Sequence, residues 1–170
     1  HVYIDGFNLY YGLLKGTPYK WLDLERLCDQ LLPRNTVTKI HYFTAKVDAR
    51  PQDPDQPTRQ LAYLQALGSL ARVEVHLGTF MSSVISQVIV ETDPVTGRYQ
   101  RAGGKPVLKL DAAGRPVKVW TYKSEEKGSD VNLAAHLMQD AYRGRCGCAV
   151  IISNDSDLLT PIGMAKHDCG

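Results

Sequence analysis

Cys148-Ala149-Val150-Ile151-Ile152 is an uninterrupted apolar run that ends on Ser153-Asn154-Asp155-Ser156-Asp157, and Leu158-Leu159-Thr160-Pro161-Ile162 follows with helical character. A short continuous run of this kind reads as a strand buried on both faces of a parallel sheet. In open parallel sheets ligands bind beyond the carboxyl ends of the strands, so the acids at this tip mark a rim. One side chain is enough to cap the helix that follows, and the stretch supplies several. The first residues repeat the pattern: Val2-Tyr3-Ile4 is apolar and ends on Asp5, with Gly6-Phe7-Asn8 directly behind it. Two strand tips therefore carry carboxylates.

Outward from these tips the chain alternates. Residues 8–14 read as a short helix broken at Gly16-Thr17-Pro18. Asp23 is placed to cap a helix whose Leu24, Leu27, Cys28, Leu31 and Leu32 form one apolar stripe, ended by Pro33. Residues 36–45 carry Val37, Ile40, Tyr42 and Phe43 and read as a strand, with Thr44 and Lys46 at its exit. The proline-rich segment 50–57 is a surface loop. Thr58 caps a helix through Leu61, Leu64, Leu67 and Leu70, and Val73, Val75 and Leu77 alternate as a strand. Such strand-helix alternation predicts an α/β fold with a mainly parallel sheet covered on both faces.

The texture changes over residues 80–123. Strand-like segments at 84–91, 107–110 and 117–122 are separated by Asp93-Pro94-Val95-Thr96-Gly97, Gly103-Gly104-Lys105-Pro106 and Asp111-Ala112-Ala113-Gly114, the pattern of an antiparallel hairpin insertion. The insertion and its exit hold Arg98, Arg101, Lys105, Lys109, Arg115, Lys118, Lys123 and Lys127 with Tyr99, Trp120 and Tyr122 between them. Cations neutralise phosphates and aromatic faces stack unpaired bases, although any half-exposed hairpin alternates in this way. Its exposed edge also suits a homodimer.

Composition narrows the class. The 170 residues, 44% hydrophobic, suffice for one domain with its own core. A formal net charge of +2 is too small to argue for nucleic acid by itself. Cys28, Cys146, Cys148 and Cys169 form neither a Cys-x-x-Cys pair nor a zinc pattern, and they read as packing residues in a reducing cytoplasm. No leader is read at the start, and no apolar run reaches the roughly 20 residues of a membrane helix. Neither Gly-x-Gly-x-x-Gly nor a Lys-bearing phosphate loop occurs, which argues against a nucleotide cofactor.

Asp130 lies in the first turn of a helix through Val131, Leu133, Ala134, Leu137, Met138 and Ala141. Asp5, Asp130, Asp155 and Asp157 thus come from two strand tips and one helix start that can share a rim. Two carboxylates about 4 Å apart repel by about 4 kcal/mol at an effective dielectric near 20, so a converged set shares protons or holds a cation. Oxygen-only donors select a hard ion, Mg²⁺ or Mn²⁺, and that combination suits metal-assisted phosphodiester hydrolysis. Asn8, Ser153 and Asn154 are placed to orient water or contact phosphate, and Thr44, Lys46 and Lys127 are further substrate-binding candidates. Glu125 and Glu126 read as solvated but within reach of the rim. His136, beside Leu133 and Leu137, reads as a partly buried, hydrogen-bonded histidine.

Three ordered blocks, Asp5-Gly6-Phe7-Asn8-Leu9-Tyr10, Glu125-Glu126-Lys127-Gly128-Ser129-Asp130-Val131-Asn132-Leu133-Ala134 and Ser153-Asn154-Asp155-Ser156-Asp157-Leu158, resemble the signature blocks of NYN-domain proteins in the PIN-like nuclease superfamily. The resemblance covers the whole chain apart from the insertion. It implies an α/β/α sandwich and a Mg²⁺- or Mn²⁺-dependent ribonuclease acting on RNA, with Asp5, Asp130, Asp155 and Asp157 in the metal site. One departure is His136, where many relatives carry a further aspartate; Asp140, one turn on, is a substitute candidate. The alternatives are a non-catalytic RNA- or protein-binding module and a small-molecule phosphohydrolase.

Overall fold

The computed structural model describes residues 1–168; Cys169, read above as a packing residue, lies outside them. The strands are β1 (Val2–Asp5), β2 (Ile40–Ala45), β3 (Val73–Val88), β4 (Arg101–Ala102), β5 (Lys105–Pro106), β6 (Lys118–Lys127) and β7 (Val150–Ile152). The helices are α1 (Gly6–Leu9), which continues as a π-helical turn at Tyr10–Leu14, α2 (Leu24–Leu31), α3 (Gln56–Gly68), α4 (Ser129–Tyr142) and α5 (Leu159–Asp168), the last preceded by a 3₁₀ turn at Ser156–Leu158. The chain divides into two compact units, one formed by His1–Phe80 with the residues from Glu126 onward, the other by Met81–Glu125.

The main sheet has the order β6-β3-β2-β1-β7, and β1 pairs in parallel with both β2 and β7, as β2 does with β3. This is the predicted α/β architecture. Period-two alternation sends Val2, Ile4, Ile40 and Tyr42 to one face, where they pack with Leu24, Cys28 and Leu67 of α2 and α3. Tyr3 and Phe43 go to the other face and meet Leu133 and Leu137 of α4 and Leu158. Fully burying such side chains contributes roughly 1.5–3 kcal/mol each, so the two layers clamp β1 and β2 from both sides.

Several boundaries differ from the sequence reading. β2 starts at Ile40 rather than at residue 36. β3 is one strand through Val88, where two were expected at 73–77 and 84–91. Ser82 and Ser83 resemble a turn, yet Ser82 Oγ donates to Ser124 Oγ at 3.0 Å and Thr121 Oγ1 donates to Gln87 Oε1 at 2.8 Å, so the extended polar chain finds partners. Residues 107–110 form only isolated bridges, Val90 with Leu108 and Leu110 with Pro116, and Pro116 has no N–H to extend the second into a ladder. Asp55, not Thr58, is the N-cap of α3, whose first turn contains the preset backbone of Pro57. Asp23 caps α2 as expected, accepting from Arg26 N at 3.0 Å.

Gly6 sets the turn that carries Asp5. A Cβ there would lie 2.5 Å from Tyr42 Cζ and 2.9 Å from the Phe43 carbonyl oxygen, inside contact distance of ring and backbone alike. Gly12, in the π-helical turn, has no atom within 4 Å of such a Cβ. Gly6→Ala is expected to destabilise the fold by about 1–3 kcal/mol through overpacking, measured by urea unfolding, whereas Gly12→Ala leaves the midpoint nearly unchanged. Equal midpoints for the two variants would refute the close-approach role of Gly6.

Candidate acidic active site

The parallel register places Ile4 beside Ile152, so the chain leaves β1 and β7 at neighbouring tips. Asp5 is the last residue of β1 and only 3% exposed. It caps α1: one oxygen accepts from Asn8 N at 2.9 Å, while the other accepts from the Asn8 side-chain amide and lies 3.4 Å from Ser153 Oγ. These neighbours offset the cost of burying a carboxylate.

Beyond β7, Asp155 N donates to Ser153 Oγ at 3.1 Å, and an Asp155 oxygen accepts from Asp157 N at 2.9 Å. Asp155 therefore is a cap, yet it also lines an open cleft with Asp5, Asn8, Asp130 and Glu126, joined by Phe7, Tyr11, Val47, Arg50 and Phe80. Asp130 enters the cleft from the first turn of α4. Gly128, at the N-cap of that helix, adopts φ 96°, a left-handed conformation that glycine alone adopts without strain. Glu126 closes the turn by accepting from Ser129 N at 3.0 Å.

The electrostatics report the convergence. The Asp130 carboxyl is pushed up to about 6, first by burial and then by the charges of Asp5, Asp155, Glu126 and Asp157. Each like charge penalises ionisation, and a proton or a cation relieves it. The donors are all oxygens, which fits a hard divalent ion that keeps several waters and needs only one or two direct carboxylates.

The structure brings Asp5, Asn8, Asp130 and Asp155 to one cleft, with Ser153 behind Asp5. Asp157 is exposed and acts on Asp130 through its charge. Asn154, Lys46 and Lys127 are exposed and do not line the cleft, and Thr44 is buried against a second cavity. Asp140 does not replace the missing aspartate: it lies ten residues along α4 from Asp130, about 15 Å at 1.5 Å per residue, bonded to Tyr3. Glu126, read from the sequence as solvated but within reach of the rim, lines the cleft, and Arg50 is the charged cleft residue that the sequence reading did not name. Glu126 stands in a charged run, and Arg50 in a loop whose course no local pattern reveals. The second cavity, about 280 Å³, is lined by Phe7, Tyr10, Tyr11, Trp21, Tyr42 and Tyr63, and it shares Phe7 and Tyr11 with the acidic cleft.

Among curated proteins, the chain is 34% identical to the 6-hydroxy-3-succinoylpyridine 3-monooxygenase HspA of Pseudomonas putida (strain DSM 28022 / S16), over an alignment of 184 positions that covers 97% of the chain and 54% of that protein. The chain thus spans about half the length of this relative. No solved structure matches it. The model of the NYN domain matches residues 1–168, in which the parallel sheet and its acidic rim both fall, and the chain belongs to the NYN domain family.

Proposed function

We propose that the chain hydrolyses RNA phosphodiester bonds in the acidic cleft, with Mg²⁺ or Mn²⁺ held among Asp5, Asp130 and Asp155 and with Asp157 adding charge at the margin. The observation that carries this reading is the convergence of Asp5, Asp130, Asp155 and Glu126 on one cleft, and the raised Asp130 carboxyl agrees with it. A bound divalent ion would polarise a phosphoryl oxygen and lower the pKa of its water. Asn8 and Ser153 hold Asp5 in place, and the Asp155 cap fixes the second strand tip. Arg50 is the cation in the cleft suited to a phosphate oxygen. Lys46, Lys127, Asn154 and Thr44 are further candidates for contact with the strand on either side. Family membership supports a nuclease-like fold and RNA as the substrate class.

A second reading draws on the relative, whose name describes a monooxygenase acting on 6-hydroxy-3-succinoylpyridine. The aromatic cavity beside the acids has the lining expected for a planar heteroaromatic ring, with Lys20 at its edge for an anionic group. In that reading the acids orient a small substrate, and the activity belongs to a longer protein.

One experiment separates the two. Mn²⁺ and Mg²⁺ are titrated into wild type and Asp155→Asn beside a mixed-sequence single-stranded RNA and, in parallel, a hydroxypyridine carboxylate. Metal-dependent RNA cleavage that falls by at least about 100-fold in Asp155→Asn, the scale of removing one electrostatic group from a reacting centre, with the circular dichroism unchanged, is the expected result. Cleavage at the wild-type rate by the variant would refute the assignment. Saturable hydroxypyridine binding without cleavage would favour the second reading, and metal-independent RNA binding without turnover would favour a binding module.

The Asp130 shift also predicts a pH dependence. Its folded carboxyl binds a proton more tightly than the unfolded one, near 3.9, so stability declines as pH rises from about 4 to about 6 and the penalty is complete above that window. Asp130→Asn is expected to raise the melting temperature at pH 7 and to leave it unchanged at pH 4. Mn²⁺ should likewise stabilise wild type more at pH 7 than at pH 4. An equal effect of the substitution at both pH values would contradict the charge crowding.

A further inference from the structure

Half-way down the sheet, on the face covered by α4, three imidazoles from three elements meet: His41 of β2, His76 of β3 and His136 of α4. Their ligand nitrogens all lie within 4.8 Å of one another. His41 Nδ1 is 2.9 Å from His76 Nε2, and the His76 and His136 ring centroids are 4.1 Å apart. His136 is six residues beyond Asp130, about 9 Å along the helix, so this cluster is distinct from the acidic cleft.

The surroundings of His41 make the cluster unusual for simple packing. His41 is only 2% exposed, and its Nε2 has no hydrogen-bond partner although Asp140 Oδ2 lies 3.4 Å away. Asp140 is itself buried, accepts from Tyr3 OH at 2.8 Å, and is approached by His1 Nδ1 at 2.9 Å and by Arg145 Nη1 at 3.4 Å. A buried imidazole nitrogen without a bond normally costs about 1–3 kcal/mol.

The tautomers resolve this. If His41 carries its proton on Nδ1, it donates to His76 and turns a bare Nε2 lone pair toward a carboxylate. If the proton is on Nε2, it lies on the side of Asp140 Oδ2, 3.4 Å away, and Nδ1 accepts from His76 Nε2. In the second arrangement a metal ion that displaces the shared His76 proton meets three imidazole lone pairs, with a carboxylate behind the most buried of them. Metal-ligating histidines characteristically direct their other N–H at such an outer carboxylate.

We propose that His41, His76 and His136 form a binding site for a divalent transition metal of the zinc class, with Asp140 orienting His41 from behind. Imidazoles suit zinc, copper, iron and nickel rather than Mg²⁺, so the ion differs in kind from the one assigned to the acidic cleft. Tetrahedral Zn–N bonds of about 2.0–2.1 Å place ligand nitrogens about 3.3 Å apart, which the present spacing reaches by small side-chain adjustment. Three protein ligands leave one coordination position for water or an anion, and His76 and His136 are only partly buried, so solvent reaches their side of the cluster.

The test uses the full chain without an added histidine tag, stripped of metal and titrated with Co²⁺, then with Zn²⁺. Visible d–d absorption saturating at one Co²⁺ per chain and displaced by Zn²⁺ is the expected result. His136→Ala and His76→Asn should each abolish saturable binding, Asp140→Asn should weaken it by about 10–100-fold, and Asp155→Asn should leave it unchanged. Imidazole NMR signals of the three histidines shifting together on Zn²⁺ addition to wild type would support the site without reliance on any variant. No saturable binding by wild type would overturn the proposal, as would wild-type binding by His136→Ala or loss of binding in Asp155→Asn instead.

Discussion

Keeping a carboxylate nearly out of solvent at the end of β1 is the constraint on which the rest of the rim depends. Asp5 is buried, and a buried carboxylate must find donors or a cation. The local chain supplies the donors through the backbone and side chain of Asn8, which requires α1 to begin at once, and that in turn requires Gly6 to pass against Tyr42 and the backbone of β2. The parallel neighbour β7 then delivers Ser153 to the other side of Asp5, because register places the two strand ends side by side. One buried charge thus ties together the turn after β1, the start of α1 and the exit of β7.

The same economy governs α4. The helix turns Ser129, Leu133, Leu137 and Asp140 inward, a stripe that is polar at both ends and apolar in the middle. Leu133 and Leu137 pack on Tyr3 and Phe43 and fix the height of the helix on the sheet. With that height fixed, Asp130 falls at the strand tips and Asp140 falls beside Tyr3. Phenol and carboxylate then share a short bond in the interior, and burial together with Asp140 raises the Tyr3 hydroxyl far above its ordinary range, so it remains a donor. The apolar middle of the helix separates two polar regions of different chemistry, oxygens at the rim and imidazoles below it.

Much of this rim is legible in the sequence, and the reason is geometric. A strand that ends on an acid declares both the strand and the position of the acid, so Asp5 and Asp155 can be placed without knowing the rest of the fold. Asp130 follows from helical period, since Leu133 and Leu137 reveal which face is buried. Glu126 and Arg50 are not legible in this way, because a charged residue in an irregular segment carries no periodic signal. The histidines fail for a different reason. His41 and His76 sit in strands whose alternation marks them only as inward-facing, and nothing local states that β2 and β3 are adjacent in register at Phe43 and His76. The continuous β3 was hidden by Ser82 and Ser83, which resemble a turn until a partner strand with Thr121 and Ser124 is in place.

The aromatic cavity beside the acids shows how tertiary structure combines weak local signals into one feature. Tyr10, Tyr11, Trp21, Tyr42 and Tyr63 come from the π-helical turn, the loop after it, β2 and α3, and of these Tyr10 alone ends a signature block. The π-helical turn widens the backbone by one residue per turn, and it does so where Tyr10 and Tyr11 must face different neighbours: their rings meet edge to face at 5.1 Å, and Tyr11 stacks toward Phe7. Tyr42 is anchored over Gly6, and Tyr63 donates its hydroxyl to the Leu22 carbonyl at 2.8 Å, so the walls are held by packing and hydrogen bonds rather than by the occupant. A cavity whose walls are preorganised loses little entropy on binding a flat ring. Phe7 and Tyr11 belong to both this cavity and the acidic cleft, so a ring in the first and a phosphate or carboxylate in the second would lie on one continuous surface. Phe7, directly after Asp5-Gly6, thus stands with Tyr11 and Val47 on the wall common to the aromatic cavity and the acidic cleft.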